Sequence, residues 1–336
     1  MSKIKTAITL YSFTNEQRDH GWSTEDCLRA CRDLGVAGVE FVASQTFGRS
    51  YPWPDLQEIY AVRRLCEKLG LEIAAYSAQS DRGKRFQDVD MPAEDMFAYA
   101  LNDLKYAYEI GAYAQRQQNN LSPEALEMLA PWAEKYRVKV GIEMHQPMTP
   151  CEPNSEAFNR VIERVDSPYI GWVPDFGMFS EGKYNARFAD RLNGMPSRMN
   201  VPDEIVDYFE THQGEPIAQA KEELRAFHPD EKLQAILDVY LTTGDTAGDS
   251  RKTLWEDFER VTLPHAVHFH GKFHHLADDG DDENIPTQKV LKVIGKSDYD
   301  GFISIEYEGH LHGRPDPVVP IMRRHLAFYR DVLGIR

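Results

Sequence analysis

Residues 138–176 read VKVGIEMHQPMTPCEPNSEAFNRVIERVDSPYIGWVPDF. A short apolar run, Val138–His145, is followed by an amphipathic segment, Ser155–Val165, and then by a second apolar run, Tyr169–Phe176. Short apolar runs bounded by turn residues read as buried strands, and the segment between them reads as a helix. A strand, a helix and a strand in succession form a parallel pair, because parallel neighbours need a crossover connection.

The same alternation extends in both directions. Upstream lie the strand patterns Ile4–Phe13, Gly38–Ala43, Leu71–Ala78 and Ala112–Gln118. Helix patterns separate them: Ser23 to Leu34, Asp55–Leu69, Ala93–Ile110 and Pro123–Tyr136. Ser23 with Asp26 three positions on is an N-cap signature, and Gly35, Gly70 and Gly111 stand as helix stops. Downstream, His265–Phe273 and Gly301–Gly309 supply the seventh and eighth strands. Eight strands separated by helices predict an α/β fold, the (β/α)8 TIM barrel. A two-domain doubly wound protein is the competing architecture, but no Gly-rich dinucleotide turn follows the first strand.

Residues 1–336 are therefore read as a single barrel whose rhythm breaks once. Between the sixth strand and a returning helix near Ser250–Val261 stands Glu181–Asp249, with helical stretches around Pro202–His212 and Pro216–Leu241. That is far longer than an ordinary βα loop and predicts an ordered helical insertion. It follows the C-terminal end of a strand, the catalytic face of such barrels, and so reads as a lid or a partner-binding segment.

Composition narrows the function classes. With 38 Lys+Arg against 54 Asp+Glu, the chain carries a formal charge of −16. Such an acidic excess disfavours nucleic acid and anionic membrane surfaces as partners. The four cysteines are scattered, with one C-x3-C spacing in a helical stretch, so neither a disulfide framework nor a zinc knuckle is expected. No apolar run reaches membrane-span length and MSKIKTAITLYSF has no signal-peptide character, which points to a cytoplasmic protein.

Polar residues gather at strand ends where apolar ones belong. Glu143 and His145 are two apart and share a face of the fifth strand. Asp175 tips the sixth; His268, His270 and Lys272 share a face of the seventh; Glu306 and Glu308 share one of the eighth. Carboxylates and imidazoles converging inside a barrel repel or go unsatisfied without a cation. One divalent metal resolves that conflict. A mixed O/N site suits Mn²⁺ first, with Mg²⁺, Co²⁺ or Fe²⁺ possible and Zn²⁺ less natural without thiolates.

GVEF, GIEMH, PDFGMF, HFHGKFHH and GFISIEYEG together resemble the xylose-isomerase-like barrels, which include sugar isomerases, ketose 3-epimerases and inosose dehydratases. The resemblance spans the first to the eighth strand, leaving out Glu181–Asp249. It implies Glu143, Asp175, His270 and Glu306 as metal ligands, with His270 taken as the second His of a His-x-His-x-Lys pattern. Within the superfamily the chain looks most like the alpha subunit of bacterial C-glycoside deglycosidases, through His145 after Glu143, the HGKFHH run and the long insertion. That likeness implies a carbon–carbon lyase acting on 3-oxo-C-glucosides of flavonoid-type aglycones. It also implies a small beta subunit completing a hetero-oligomer. His145 would be the base, with Glu143 and Glu306 as catalytic ligands and Tyr76, Arg116, Gln118, Lys272 and His274 as substrate-binding candidates. A divalent-metal keto-sugar epimerase or isomerase is the alternative, since it needs the same metal and the same proton abstraction.

Overall fold

Ser23 opens the first long helix, Thr24–Leu34, with a capping box: its hydroxyl accepts from the Asp26 amide while the Asp26 carboxylate accepts from the Ser23 amide. Asp55 and Glu58 repeat the device at Leu56–Leu69. Gly35, Gly70 and Gly111 close the helices Thr24–Leu34, Leu56–Leu69 and Ala93–Ile110 in the left-handed conformation, where a side chain would be strained. The computed structural model describes residues 3–78, 91–118, 120–145, 148–180, 223, 253–309 and 317–335. The expected insertion, Glu181–Asp249, lies outside the described residues apart from Glu223.

Eight parallel strands follow one another around the barrel. They are β1 (Lys5–Thr9), β2 (Gly38–Val42), β3 (Glu72–Ala78), β4 (Ala114–Gln117), β5 (Lys139–Met144), β6 (Ile170–Pro174), β7 (Phe269–Phe273) and β8 (Phe302–Tyr307). The hydrogen-bonded order runs β6-β5-β4-β3-β2-β1-β8-β7. The seam between β6 and β7 closes through two isolated parallel bridges, Trp172 with Ala266 and Asp175 with His270. Helices Pro123–Tyr136, Pro153–Val165, Thr287–Ile294 and Val318–Leu333 complete the alternation. The fold is a TIM barrel.

All eight strands are shorter than the sequence suggests, β1 and β7 most of all. β1 stops at Thr9, whose hydroxyl accepts from the Tyr11 amide and turns Leu10–Phe13 into a 3₁₀ turn. Ser12 in that turn accepts from the Tyr307 amide at 2.9 Å, tying it across the end of β8. β7 begins only at Phe269, since His265, read as the start of that strand, belongs to the short turn Leu263–His265 that contains Pro264. The returning helix after β6 is a brief one, Leu254–Asp257, continued by a wide π-type turn, Phe258–Thr262. No helix among the described residues is long and apolar enough to cross a membrane.

Candidate metal centre

Strand alternation selects the inward side chains. Glu143 on β5, Asp175 just past β6, His270 on β7 and Glu306 on β8 each offer one ligand atom, and those four atoms all lie within 4.8 Å of one another. The β6–β7 bridge sets Asp175 beside His270, and the β7–β8 register pairs Lys272 with Glu306. Asp175 is held further by accepting from the Gly177 amide through Oδ1 at 2.6 Å. All four ligand-type residues are buried.

His270 tests whether a metal fits here. Its Nε2 stands 2.8 Å from Glu40 Oε1, a carboxylate that demands a proton on that nitrogen. Its Nδ1 is buried and makes no hydrogen bond, although Glu143 Oε1 stands 2.7 Å away and Glu306 Oε2 3.6 Å away. A nitrogen lone pair and a carboxylate oxygen at that distance need a cation between them, either a proton or a metal. The residues present therefore fit a divalent ion held by Glu143, Asp175, His270 and Glu306.

Glu40, on β2, was not among the residues singled out from the sequence, yet it is wholly buried at the heart of this network. Its Oε2 accepts from His268 Nε2 at 2.9 Å, its Oε1 from His270 Nε2, and Ser77 Oγ also donates to Oε1. One signal could have found it: a lone carboxylate in the otherwise apolar strand GVEFV must be paired if that strand is buried.

A second network lies at the mouth. Lys272 Nζ approaches Asp175 Oδ2 at 2.7 Å, Glu308 Oε2 at 3.2 Å and Glu306 Oε2 at 3.6 Å. It also donates to His145 Nε2 at 2.8 Å. Arg116 Nη2 pairs with Glu143 Oε2 at 2.7 Å.

Burial opposes charge throughout the site, and neighbours decide the outcome. For Glu143, Arg116 and His270 outweigh burial and hold the carboxyl well below its ordinary range. His270 and His268 do the same for Glu40, and Lys272 for Glu308. Burial wins at Glu306, which is pushed up to about 8 even though His270 and Lys272 pull the other way. His270 and Lys272 are driven well above their usual ranges by the surrounding carboxylates, against the effect of burial.

The centre opens into a cavity of about 680 Å³ lined by Arg116, Gln118, Glu143, His145, His270, Lys272, Glu306 and Glu308, with Tyr11, Arg18 and Gln45 on the β1–β2 side. Seven of the ten site residues singled out from the sequence thus meet around one space: Arg116, Gln118, Glu143, His145, His270, Lys272 and Glu306 line it. Asp175 stands behind, within ligand distance of the others. Tyr76 does not reach the cavity. Ser77 faces it, so alternation turns Tyr76 outward, where its ring packs against Phe47 with centroids 6.3 Å apart. His274 falls just past the end of β7; its amide donates to Asp282 and its Nε2 lies 3.7 Å from Glu308 Oε2, so it borders the cavity through Glu308 without lining it.

A barrel with a carboxylate–imidazole centre at the C-terminal strand ends defines a class, the TIM barrels with a candidate divalent-metal site. Residues 28–332 match the family described as xylose isomerase-like TIM barrel, and the chain belongs to that family. It is 28% identical to the 3'-dehydrocarminate deglycosidase alpha subunit of a Microbacterium species, over 97% of this chain and 94% of the relative. It is also 28% identical to a C-glycoside deglycosidase alpha subunit of Microbacterium trichothecenolyticum, over 90% and 83% respectively. Among solved structures, the fold is similar to the D-psicose 3-epimerase of Clostridium cellulolyticum H10, with a TM-score of 0.59 at 13% identity, covering 98% and 99% of the two chains. It is also similar to the IolI protein, crystallised with a zinc atom, with a TM-score of 0.55 at 10% identity and 98% of each chain covered.

Proposed function

We propose that this chain is the metal-dependent subunit of a C-glycoside deglycosidase that cleaves the carbon–carbon bond between a 3-oxo-glucoside and its aromatic aglycone. The observation that carries the reading is the His145–Lys272 contact at 2.8 Å beside the four-ligand centre. It supplies a proton-handling pair distinct from the metal carboxylates, and the relatives over nearly the full length are deglycosidase alpha subunits.

Bound at Glu143, Asp175, His270 and Glu306, a divalent ion, Mn²⁺ by preference, supplies Lewis-acid polarisation of the 3-ketone and positive charge for the enediolate. Arg116 and Gln118 orient sugar hydroxyls from β4. His145 takes the proton from C2, and its electron pair forms the enediolate. Collapse of the enediolate breaks the C1–aglycone bond. Lys272 gives a proton to the departing aglycone carbon and regains one from His145 across their contact. The products are the free aglycone and a 1,5-anhydro-enulose. The relatives' designation as alpha subunits supports a small beta partner for this chain, with residues 181–249 as the segment proposed to meet it or to cover the aglycone.

A keto-sugar epimerase is the second reading, and one observation favours it. Glu306, pushed up to about 8, lines the same space as Glu143, held as a carboxylate, which puts an acid and a base in one site. Incubating Mn²⁺-loaded protein, alone and with its beta partner, with a 3-oxo-C-glucoside and with free ketoses separates the two. Chromatography should show aglycone release and no ketose interconversion; the reverse result replaces the lyase with the epimerase. His145→Ala should keep its metal while aglycone release falls by ~10²–10⁴-fold, the range for loss of a general base. Loss of metal and turnover together would make His145 a support for Glu143 instead.

A further inference from the structure

We infer that Glu40 is a positioning residue for the metal centre: its carboxylate, fixed by His268 and Ser77, holds His270 in the one tautomer that presents Nδ1 to the ion. The inference rests on the metal-centre reading and adds a residue to it.

Glu40 is wholly buried, and both of its oxygens are occupied by donors. His270 Nε2 and Ser77 Oγ donate to Oε1, and His268 Nε2 donates to Oε2. His268 Nε2 also lies 3.0 Å from Ser304 Oγ, which holds that ring from β8. The backbone takes part too. The β2–β3 register shifts between Val39 and Glu40, so Glu40 pairs with Ala75 rather than with the residue after Ile73. Irregularities of this kind re-aim a side chain. Ser77, two residues beyond Ala75, then stands on the same face as the Glu40 oxygens.

The chemistry follows from the imidazole's two nitrogens. A carboxylate on Nε2 requires a proton there, so the lone pair of the neutral ring sits on Nδ1. Nδ1 is the atom that points at Glu143 and Glu306. A charged acceptor on the far nitrogen also makes the near one a stronger donor to a metal. A second cluster, Glu40 with His268 and His270, has ligand-type atoms close enough to suggest a second ion. The 2.8 and 2.9 Å separations at Glu40 are those of N–H donors on a carboxylate, and a metal there would have to displace both protons. The hydrogen-bonded reading fits all three contacts at once.

Mn²⁺ titration followed by the electron paramagnetic resonance of the free ion tests this. Glu40→Gln keeps the shape but can accept from only one imidazole, and it should bind Mn²⁺ about 10–100-fold more weakly than the parent. Thermal unfolding of the metal-free forms is the companion readout. A purely structural Glu40 would lower that midpoint while leaving Mn²⁺ affinity unchanged, and that result overturns the inference. Nitrogen-15 spectra of the Zn²⁺-loaded parent decide it without any variant: the proton should be on His270 Nε2 and the metal on Nδ1, and metal on Nε2 refutes the assignment. Glu143→Ala serves as the reference. If it too binds Mn²⁺ like the parent, the metal centre itself is misassigned; if it loses Mn²⁺ while Glu40→Gln does not, only the role of Glu40 fails.

Discussion

An ammonium at 1% exposure survives only if other groups replace its water. Around Lys272 they are the oxygens of Asp175, Glu308 and Glu306 and the nitrogen of His145. The arrangement works in both directions, because the same ammonium keeps three carboxylates from facing one another unscreened. Lys272→Gln should therefore harm the metal-free protein most. Removing one partner of a buried ionic network costs about 3–5 kcal/mol, and a divalent ion next door can replace part of the lost charge. Calorimetry of the variant should show a lowered unfolding midpoint that saturating Mn²⁺ largely restores. A midpoint equal to the parent's without metal would mean that the three carboxylates do not depend on Lys272.

At the level of strands, the weak point is the β6–β7 seam, which is joined by two bridges where other neighbours share whole ladders. Gly171 makes that seam possible: a Cβ there would stand 2.0 Å from the His265 carbonyl oxygen and 2.9 Å from Val267 Cγ1. Gly171→Ala must push β6 and the turn before β7 apart. The cost should be at least about 2 kcal/mol in urea unfolding, at the upper range for overpacking. Because Asp175 and His270 face each other across the same seam, Mn²⁺ affinity should fall with it. Unchanged affinity in the folded variant would show that the ligand geometry does not depend on this closure. Much at this scale was legible in the sequence, and for local reasons. The pair Ser23 and Asp26 and the stops Gly35, Gly70 and Gly111 bound their helices as the capping rules require. Helix Ala93–Ile110 and helix Pro123–Tyr136 coincide with their sequence patterns. Period-two alternation brought Glu143, His145, Arg116 and Gln118 to one cavity. What escaped was set by tertiary contact. The end of β1 depends on Ser12 reaching Tyr307, 295 residues away. The position of His274 depends on Asp282, and the importance of Glu40 depends on two histidines from the other end of the chain. Tyr76 was decipherable from alternation alone, since Ser77 takes the inward position beside it.

For the molecule as a whole, a formal charge of −16 draws cations in general, but the barrel mouth gives that attraction a definite address. There, among the described residues, Lys272 and Arg116 are the permanent cations paired with Glu143, Asp175, Glu306 and Glu308, while Glu40 pairs with His268 and His270. Without a metal, protons make up part of the difference: burial pushes Glu306 up to about 8, and the carboxylates hold His270 well above its usual 6.5. Both shifts are upward, so the folded metal-free protein binds protons that the unfolded chain releases. The stability these two groups contribute therefore falls as pH rises from the ordinary carboxylate range through about 8, the folded value of Glu306. Metal binding runs the other way, because the ion must displace those protons and gains about tenfold in affinity per pH unit for each one displaced. The two trends together predict that the gap in unfolding midpoint between Mn²⁺-loaded and metal-free protein widens between about pH 6 and about pH 8. At a fixed ion concentration near 100 times the dissociation constant, the stabilisation is about 2.7 kcal/mol, enough to read as a shift of several degrees. Scanning calorimetry at both ends of the range measures it. A gap that stays constant or narrows would mean that no proton leaves when the ion enters, and Glu306 and His270 could not then both be ligands.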